Sequence, residues 1–592
     1  VDRNKESIAV SMEVKSLFAN PGKIKNKGEV AERLGKLLHM PVAQVKQKLK
    51  SDKGFTWIKR QLNQQEQEAI ESLLDSKPNY GLYLGLSRES KRFYPDQNLA
   101  SQVLGFTGMD SNGLEGLELF YEKQLTGADN KKPGGDGETL VLTLDKALQH
   151  TLEDELSRGL KDSGGIAATG IVMDADTGDI LAMASAPTFN ANKFRDSTAE
   201  HRRNRSVTDT YEPGSTIKPI LVAGAIEAGV LTAKQKVFCE YGKLQIGKHT
   251  IKEAETKHKW GWLTPGQVIQ HSSNVGAAKI GFLYGQENMY NWYKKFGITE
   301  RSGVDLPGET NGVMIPSDKW SKILHSNISF GHGISVTPLQ ITRAYAALAN
   351  GGTLVTPRLV KQILSFEGDP VKDLPVGPRK RIMDEKTSEI VTNMMTAVAA
   401  EGGTAPKGAV PGFVVAGKTG TSQKAIPGKG YKSGKYQASF VGYIKGVRPN
   451  YVVYVMVDEP KFPYFGGEAA APIFRRVMTA ALAREGISPD LKLIPADKLA
   501  KKKEEKIVSD NVRSIASVAV APAELALNED SYMVPDLEGL TARDVMDLFS
   551  EKDLKLQLKG SGLVKSQKPI AGTLLKRGEA VLVKLERESV LP

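Results

Sequence analysis

The most informative stretch of this sequence runs Tyr211-Glu212-Pro213-Gly214-Ser215-Thr216-Ile217-Lys218-Pro219. A Pro-Gly pair interrupts regular structure, Ser215 is a residue type that begins helices, and the apolar run 220–226 predicts a helix buried on most of its surface. Ser215 and Lys218 are three residues apart, so on a helix their side chains share one face. A serine at the positive end of a helix, beside a desolvated lysine, can be an activated nucleophile. By itself the pair also fits a helix cap followed by a solvated lysine.

Two further motifs follow in the chain. Ser272-Ser273-Asn274 comes just before a predicted helix, and Gly417-Lys418-Thr419-Gly420-Thr421 ends an apolar strand, where glycines allow a substrate backbone to approach. The order S-x-x-K, S-x-N, K-T-G is the signature of penicillin-binding proteins and class A β-lactamases. The segment Ser509-Asp510-Asn511 also spells S-D-N, but it follows K-T-G in a charged stretch, and we reject it as the second motif.

The first motif has a direct chemical interpretation. We expect Ser215 to attack an acyl carbon and to become an acyl-enzyme. Lys218 must be neutral to accept the serine proton, so we expect its pKa to be lowered by burial and by the nearby charge of Lys418.

The other motifs supply proton transfer and substrate binding. Ser272 can relay a proton between Lys218 and the leaving amine, and Asn274 can hydrogen-bond both the lysine and a substrate amide. A substrate carboxylate would be bound by charge and hydroxyl donors. The predicted substrate-binding set is Lys418, Thr419, Gly420 and Thr421.

Composition limits the other classes of function. The chain has 592 residues, a formal net charge of +12 and a sequence pI of about 9.2. Its Lys and Arg residues are spread along the chain without zinc-finger spacing or an aromatic RNA-binding strand, so we expect no nucleic-acid partner. The single Cys239 excludes an intramolecular disulfide and a cysteine zinc site, and no histidine pair has metal-ligand spacing. We expect no metal and no cofactor.

The order of predicted elements indicates a multidomain α+β protein. Strands near 139–186, helices from about 215 to 349 and strands again from 414 to 457 predict an antiparallel sheet whose strands are far apart in sequence. We place the boundaries at 1–138 for an N-terminal pedestal domain, 139–490 for the catalytic domain, 491–530 for a charged linker and 531–592 for a small α/β module.

With these motifs the chain resembles a class B high-molecular-weight penicillin-binding protein, a peptidoglycan D,D-transpeptidase. The resemblance extends to 204–209, to Phe330-Gly331-His332-Gly333 and to Gly402-Gly403-Thr404. The C-terminal module resembles a PASTA domain, and no glycosyltransferase domain is recognisable. The resemblance implies a penicillin-binding transpeptidase fold similar to serine β-lactamases, an oxyanion hole made by the backbone N–H groups of Ser215 and Thr421, and Ser272 rather than Ser273 facing the site.

The resemblance also implies substrates, partners and location. Stem peptides ending in D-Ala-D-Ala would be the donors, an amine on a neighbouring stem the acceptor, and β-lactams the inhibitors. A separate glycosyltransferase and other division or elongation proteins would be partners. The chain begins with Val1, and Asp2-Arg3-Asn4 resembles the end of the family's entry motif, so we expect a membrane anchor upstream and an extracytoplasmic location.

Two alternatives stay open from the sequence. In a D,D-carboxypeptidase, water would replace the acceptor amine, and in a sensor or scaffold the serine would be acylated by penicillins without cross-linking. His332 lies between two glycines, and we expect it to close a turn, because S-x-x-K chemistry uses lysine as its base.

Overall fold

The computed structural model describes residues 1–50, 54–127, 137–255, 258–424 and 434–493, and parts of 531–586. Two compact units result, Val1–Asp490 and Leu491–Pro592. Most of the predicted linker 491–530, including the rejected Ser509-Asp510-Asn511 segment, lies outside the described residues. Within the described part of the chain, no helix has the length and apolar character that a membrane crossing requires.

The N-terminal part of the first unit combines a small sheet with short helices. Its strands pair in the order β2-β1-β3, and Leu17, Leu34 and Ile70 lie in its own buried core. The elements are β1 (Val10–Ala19), α1 (Lys27–Leu37), α2 (Val42–Leu49), β2 (Thr56–Lys59), α3 (Gln64–Ser76), β3 (Leu84–Phe93), α4 (Ser101–Leu104), α5 (Gly116–Phe120) and α6 (Glu122–Leu125).

The rest of the first unit has a larger core that also includes Tyr94, Phe106 and Leu117 from the N-terminal part. Its strands are β4 (Thr139–Leu142), β5 (Ala167–Asp174), β6 (Ile180–Ala186), β7 (Val237–Phe238), β8 (Lys243–Ile246), β9 (His249–Lys252), β10 (Trp262–Leu263), β11 (Thr353–Leu354), β12 (Val360–Leu364), β13 (Pro370–Asp373), β14 (Lys380–Arg381), β15 (Val415–Gln423), β16 (Tyr436–Ile444) and β17 (Tyr451–Asp458). Its helices are α7 (Lys146–Ser163), α8 (Ala199–Arg202), α9 (Arg205–Thr208), α10 (Lys218–Glu227), α11 (Pro265–Gln270), α12 (Asn274–Tyr284), α13 (Gln286–Lys295), α14 (Lys322–Ser329), α15 (Pro338–Ala349), α16 (Glu385–Met395), α17 (Gly466–Ala469) and α18 (Ala471–Arg484).

The central sheet confirms the predicted α+β architecture. Its five strands run in the order β15-β16-β17-β5-β6, and every neighbouring pair is antiparallel. Among the described strands, β15 lies at one edge of this sheet and pairs on one side only, with β16. The predicted position of the third motif was wrong in one respect: K-T-G lies inside β15, because Ser422 and Gln423 continue the pairing with β16.

The second unit is a small module with its own core, which includes Val564, Val581 and Val583. β22 pairs in parallel with β19 and antiparallel with β20. Its strands are β18 (Ser531–Met533), β19 (Lys555–Gly560), β20 (Leu563–Lys568), β21 (Leu574–Lys576) and β22 (Ala580–Glu586).

Candidate active site

Ser215 lies in a short 3-10 helix, Gly214–Ile217, that leads directly into α10. Side chains three residues apart are eclipsed on such a helix, which places Ser215 over Lys218. The Gly214 N–H donates to the Gly331 carbonyl over 3.0 Å, and a Cβ on Gly331 would lie 2.1 Å from the Gly214 oxygen. Only glycine permits that approach, so Gly331 helps to fix the backbone that carries Ser215.

The amine of Lys218 is fully buried and held by the second motif. Its Nζ donates to the carbonyl of Ser272 over 2.6 Å, to Ser272 Oγ over 3.2 Å and to Asn274 Oδ1 over 2.9 Å. Ser272 has a φ of +57°, a strained backbone for a residue with a side chain, and such strain concentrates at functional sites. The structure therefore brings the first and second motifs together.

Burial lowers the pKa of Lys218 to about 7, and the negative charge of Glu253 opposes that shift. The predicted direction is confirmed, but the predicted contribution of Lys418 was wrong. Burial, and after it the charge of Lys218, lowers the pKa of Lys418 well below its usual range. The charge of Lys218 thus disfavours a proton on Lys418, whereas the causes of the Lys218 shift are burial and Glu253.

The two serines of the second motif have different contacts. Ser273 is the N-cap of α12: its Oγ accepts from the Gly276 N–H over 2.9 Å and donates to Glu253 Oε1 over 2.5 Å. Ser272, not Ser273, contacts Lys218. Asn274 donates its side-chain N–H to the Lys252 carbonyl over 3.1 Å, which orients its amide oxygen toward the lysine.

The third motif packs its strand against the helix that carries Ser215. A Cβ on Gly420 would lie 2.4 Å from Ser439 Oγ, 3.0 Å from Thr216 Cγ2 and 3.1 Å from the Pro213 carbonyl oxygen. The missing side chain of Gly420 thus faces protein atoms, and not a substrate as the sequence suggested. A substrate contact of its backbone stays a prediction.

The hydroxyl of Thr419 has partners within the protein. Its hydroxyl is buried, accepts from Lys418 Nζ over 3.0 Å and lies 3.0 Å from Thr404 Oγ1. Thr419 therefore contacts Lys418, and its role in substrate binding stays a prediction. Thr421 is partly exposed, and its substrate role also stays a prediction. Thr421 Oγ1 accepts from the Gly466 N–H over 3.1 Å, so its own proton can be donated.

Three contributors to the site were missed from the sequence. Glu253 contacts the second motif, Thr404 contacts Thr419, and the Tyr345 hydroxyl donates to the Thr216 carbonyl over 2.8 Å. None belongs to a short motif of the catalytic set, and only Thr404 stood in a stretch that the resemblance singled out.

His332 has its Nδ1 atom 3.6 Å from Glu212 Oε2. Burial lowers the pKa of His332; the negative charge of Glu212 opposes this shift, and the positive charge of Lys218 adds to it.

Two observations concern possible ligands. Across the described residues, no group of three or more His, Cys, Asp and Glu side chains is arranged to hold a metal. A cavity of about 420 Å³ is lined by the start of β5, the start of β16, the end of β17, Lys424 and the segment 208–211. Because its lining lacks the residues of all three motifs, we assign the chemistry by side-chain contacts and not by cavity size.

Family comparison agrees with this geometry. A model described as the penicillin-binding protein transpeptidase domain matches residues 168–479, and one described as the penicillin-binding protein dimerisation domain matches residues 1–133. The chain belongs to the class B penicillin-binding proteins. A PASTA-domain model matches residues 532–587, so this penicillin-binding protein carries a C-terminal PASTA domain.

Individual relatives cover most of the chain. This penicillin-binding protein is 36% identical over 520 residues to the probable peptidoglycan D,D-transpeptidase PenA of Neisseria meningitidis, a match that spans 84% of this chain and 85% of PenA. It is 31% identical to stage V sporulation protein D of Bacillus subtilis, over 99% of this chain and 89% of that protein. The structure of penicillin-binding protein 3 from Mycobacterium tuberculosis complexed with aztreonam is 32% identical, with a TM-score of 0.63, over 69% of this chain and 93% of that one.

Proposed function

We propose that this penicillin-binding protein is a peptidoglycan D,D-transpeptidase that works through an acyl-enzyme on Ser215. Neutral Lys218 takes the hydroxyl proton while Ser215 Oγ bonds to the carbonyl carbon of the penultimate D-Ala. The C–N bond to the terminal D-Ala breaks, and the leaving amine receives a proton through Ser272. An amine on a neighbouring stem then attacks the ester, which restores the Ser215 hydroxyl and forms the cross-link.

One observation carries the proposal. The Lys218 amine is fully buried, with a pKa of about 7, and it is held by Ser272 and Asn274 one turn from Ser215. An amine that is half neutral near physiological pH is suited to act as a general base. A structural lysine would instead be charged and paired with a carboxylate.

Substrate binding follows from the strand that carries the third motif. The backbone N–H groups of Ser215 and Thr421 would stabilise the oxyanion, typically by about 3 kcal/mol per donor. A carboxylate on the donor would raise the pKa of Lys418 and favour its charged form, with Thr421 as a hydroxyl donor. The edge position of β15 lets an extended peptide add to the sheet, with Asn274 as an additional amide partner.

The location and partners follow from the substrates. Stem peptides are assembled into the wall outside the cytoplasmic membrane, so we propose that the protein works on that side of the membrane. Transpeptidation needs glycan strands, and a separate glycosyltransferase and other division or elongation proteins would supply and organise them. β-Lactams, which occupy the solved mycobacterial relative, would acylate Ser215.

The test is covalent labelling with a fluorescent penicillin. We expect stable labelling of the native protein, and loss of the label in Ser215→Ala and after heat denaturation. The Ser509→Ala variant is the matched control and should label normally. If the folded protein is not labelled, the acyl-enzyme assignment is wrong.

Product analysis separates the alternatives that labelling leaves open. With a lipid-linked substrate, a glycosyltransferase and an acceptor stem, we expect cross-linked products that disappear in Ser215→Ala. Release of D-Ala without cross-links would identify a carboxypeptidase. Labelling by penicillin without either product would identify a sensor.

A further inference from the structure

Glu253 lies directly after β9 and is buried against the second motif. Its Oε1 accepts from the Ser273 hydroxyl over 2.5 Å, and its Oε2 accepts from the Asn274 backbone N–H over 2.6 Å. One carboxylate thus holds two consecutive residues of the turn that also carries Ser272. Bonds to a charged carboxylate are stronger than those between neutral groups, so this contact fixes the turn firmly.

The charges around Lys218 are unevenly distributed. The carboxylate of Glu253 is the negative group that opposes the lowering of the Lys218 pKa by burial. Two other groups interact with the charge of Lys218: Lys418 of β15 and His332 of the loop after α14. The charge of Glu212 acts on His332. The charge of Glu253 also acts on the Cys239 thiol, which in addition feels the charges of the ion pair between Lys279 of α12 and Glu240.

We propose that Glu253 is a positioning residue for the acylation of Ser215: its carboxylate fixes the turn that holds Lys218, and its charge sets the pH at which Lys218 becomes neutral. This inference rests on the proposed acyl-enzyme function. It adds a residue outside all three motifs and gives that residue two separable effects. The hydrogen bonds set the maximal rate, and the charge sets the midpoint of the pH profile.

The experiment measures the second-order rate constant of acylation by a fluorescent penicillin between pH 5.5 and 9 for the full chain. In Glu253→Gln, a nearly isosteric side chain without the charge, we expect the midpoint of the rising limb to move to lower pH by on the order of one unit. The plateau at high pH should fall by about tenfold, because the glutamine cannot accept both hydrogen bonds.

Two further variants isolate the cause. Glu253→Asp keeps the charge but is too short to bridge both donors, so its midpoint should match the native protein while its plateau falls. Glu309→Gln is the matched control: Glu309 is also a buried glutamate that accepts from a serine hydroxyl and its N–H, those of Ser302. No contact joins Glu309 to the second motif among the described residues, so its midpoint should stay unchanged.

The outcomes are distinguishable. If the native protein is not acylated, the proposed function fails. If acylation occurs but the midpoint is the same in folded Glu253→Gln as in the native protein, the electrostatic role is overturned. If thermal denaturation shows that Glu253→Gln does not fold, the Glu253→Asp variant decides the question. The proposal is overturned if the plateau rate of Glu253→Asp equals that of the native protein. It is also overturned if the midpoint of Glu253→Asp shifts although the charge is retained.

Discussion

Lys218 connects burial to reactivity at the level of one residue. Burial lowers its pKa to about 7, and the amine can accept the Ser215 proton only when it is neutral. We therefore predict that the acylation rate constant rises with pH, reaches half its plateau near pH 7 and falls about tenfold for each pH unit below that. Stopped-time labelling across a pH series measures it, with far-UV circular dichroism at each pH to show that the fold persists. A midpoint near the usual lysine value would contradict the assignment.

The same residue scale shows what the sequence could predict at the site. The S-x-x-K and S-x-N motifs identified the residues that are in contact at Lys218, and K-T-G identified Lys418, whose pKa responds to the charge of Lys218. The spacing within these motifs reflects chemistry and short helical turns. The role of Glu253 could not be predicted from the sequence, because its contact with Ser273 depends on how the end of β9 packs against the start of α12. The contact between the hydroxyls of Thr419 and Thr404 could not be predicted for a related reason, because Thr404 comes from a separate loop.

At the scale of elements, β15 must lie close to the 3-10 helix that carries Ser215. Gly420 permits this contact, because a Cβ there would lie 2.4 Å from Ser439 Oγ and 3.1 Å from the Pro213 carbonyl oxygen. We predict that Gly420→Ala displaces the strand and reduces the acylation rate constant by on the order of 100-fold. Labelling kinetics measure the loss, and thermal denaturation reports the accompanying loss of stability, about 1–3 kcal/mol for such overpacking.

A second glycine provides the comparison for this prediction. A Cβ added to Gly81 would have no other atom within 4 Å, so Gly81→Ala should leave both acylation and stability nearly unchanged. A Gly420→Ala protein that is acylated at the native rate would show that the contact between strand and helix does not position the site.

Elements differ in how well their sequence patterns predict them. The bounds of α18 follow from its apolar periodicity, and the hairpin of β5 and β6 from the turn 175–178. The end of β15 was placed too early, because Thr421, Ser422 and Gln423 have no apolar alternation. Their pairing depends on β16, which follows a segment that gives no local signal of the register.

At the scale of the whole molecule, the order of the central sheet could not be read from local patterns. A group of strands, then a group of helices, then a second group of strands predicted an antiparallel sheet with distant strands, which the structure confirms. β17 pairs with β5, so residues near 455 lie beside residues near 170. This pairing depends on the packing of the helices and on the shared core. The domain boundary near residue 138 stays a prediction, since Tyr94 and Phe106 lie in the same core as the sheet.

The division into two compact units leads to a prediction about the complete chain. Among the described residues, the side chains that hydrogen-bond Lys218 lie within Val1–Asp490, and the module in Leu491–Pro592 has its own buried core. We predict that a protein ending at Asp490 is acylated within about twofold of the full-length rate constant, because the polar contacts of the site are retained. Labelling kinetics of the two proteins at the same pH, together with the Ser215→Ala form of each, measure the difference. A fall of tenfold or more, in a truncated protein with the native melting temperature, would mean that the PASTA domain influences the catalytic serine.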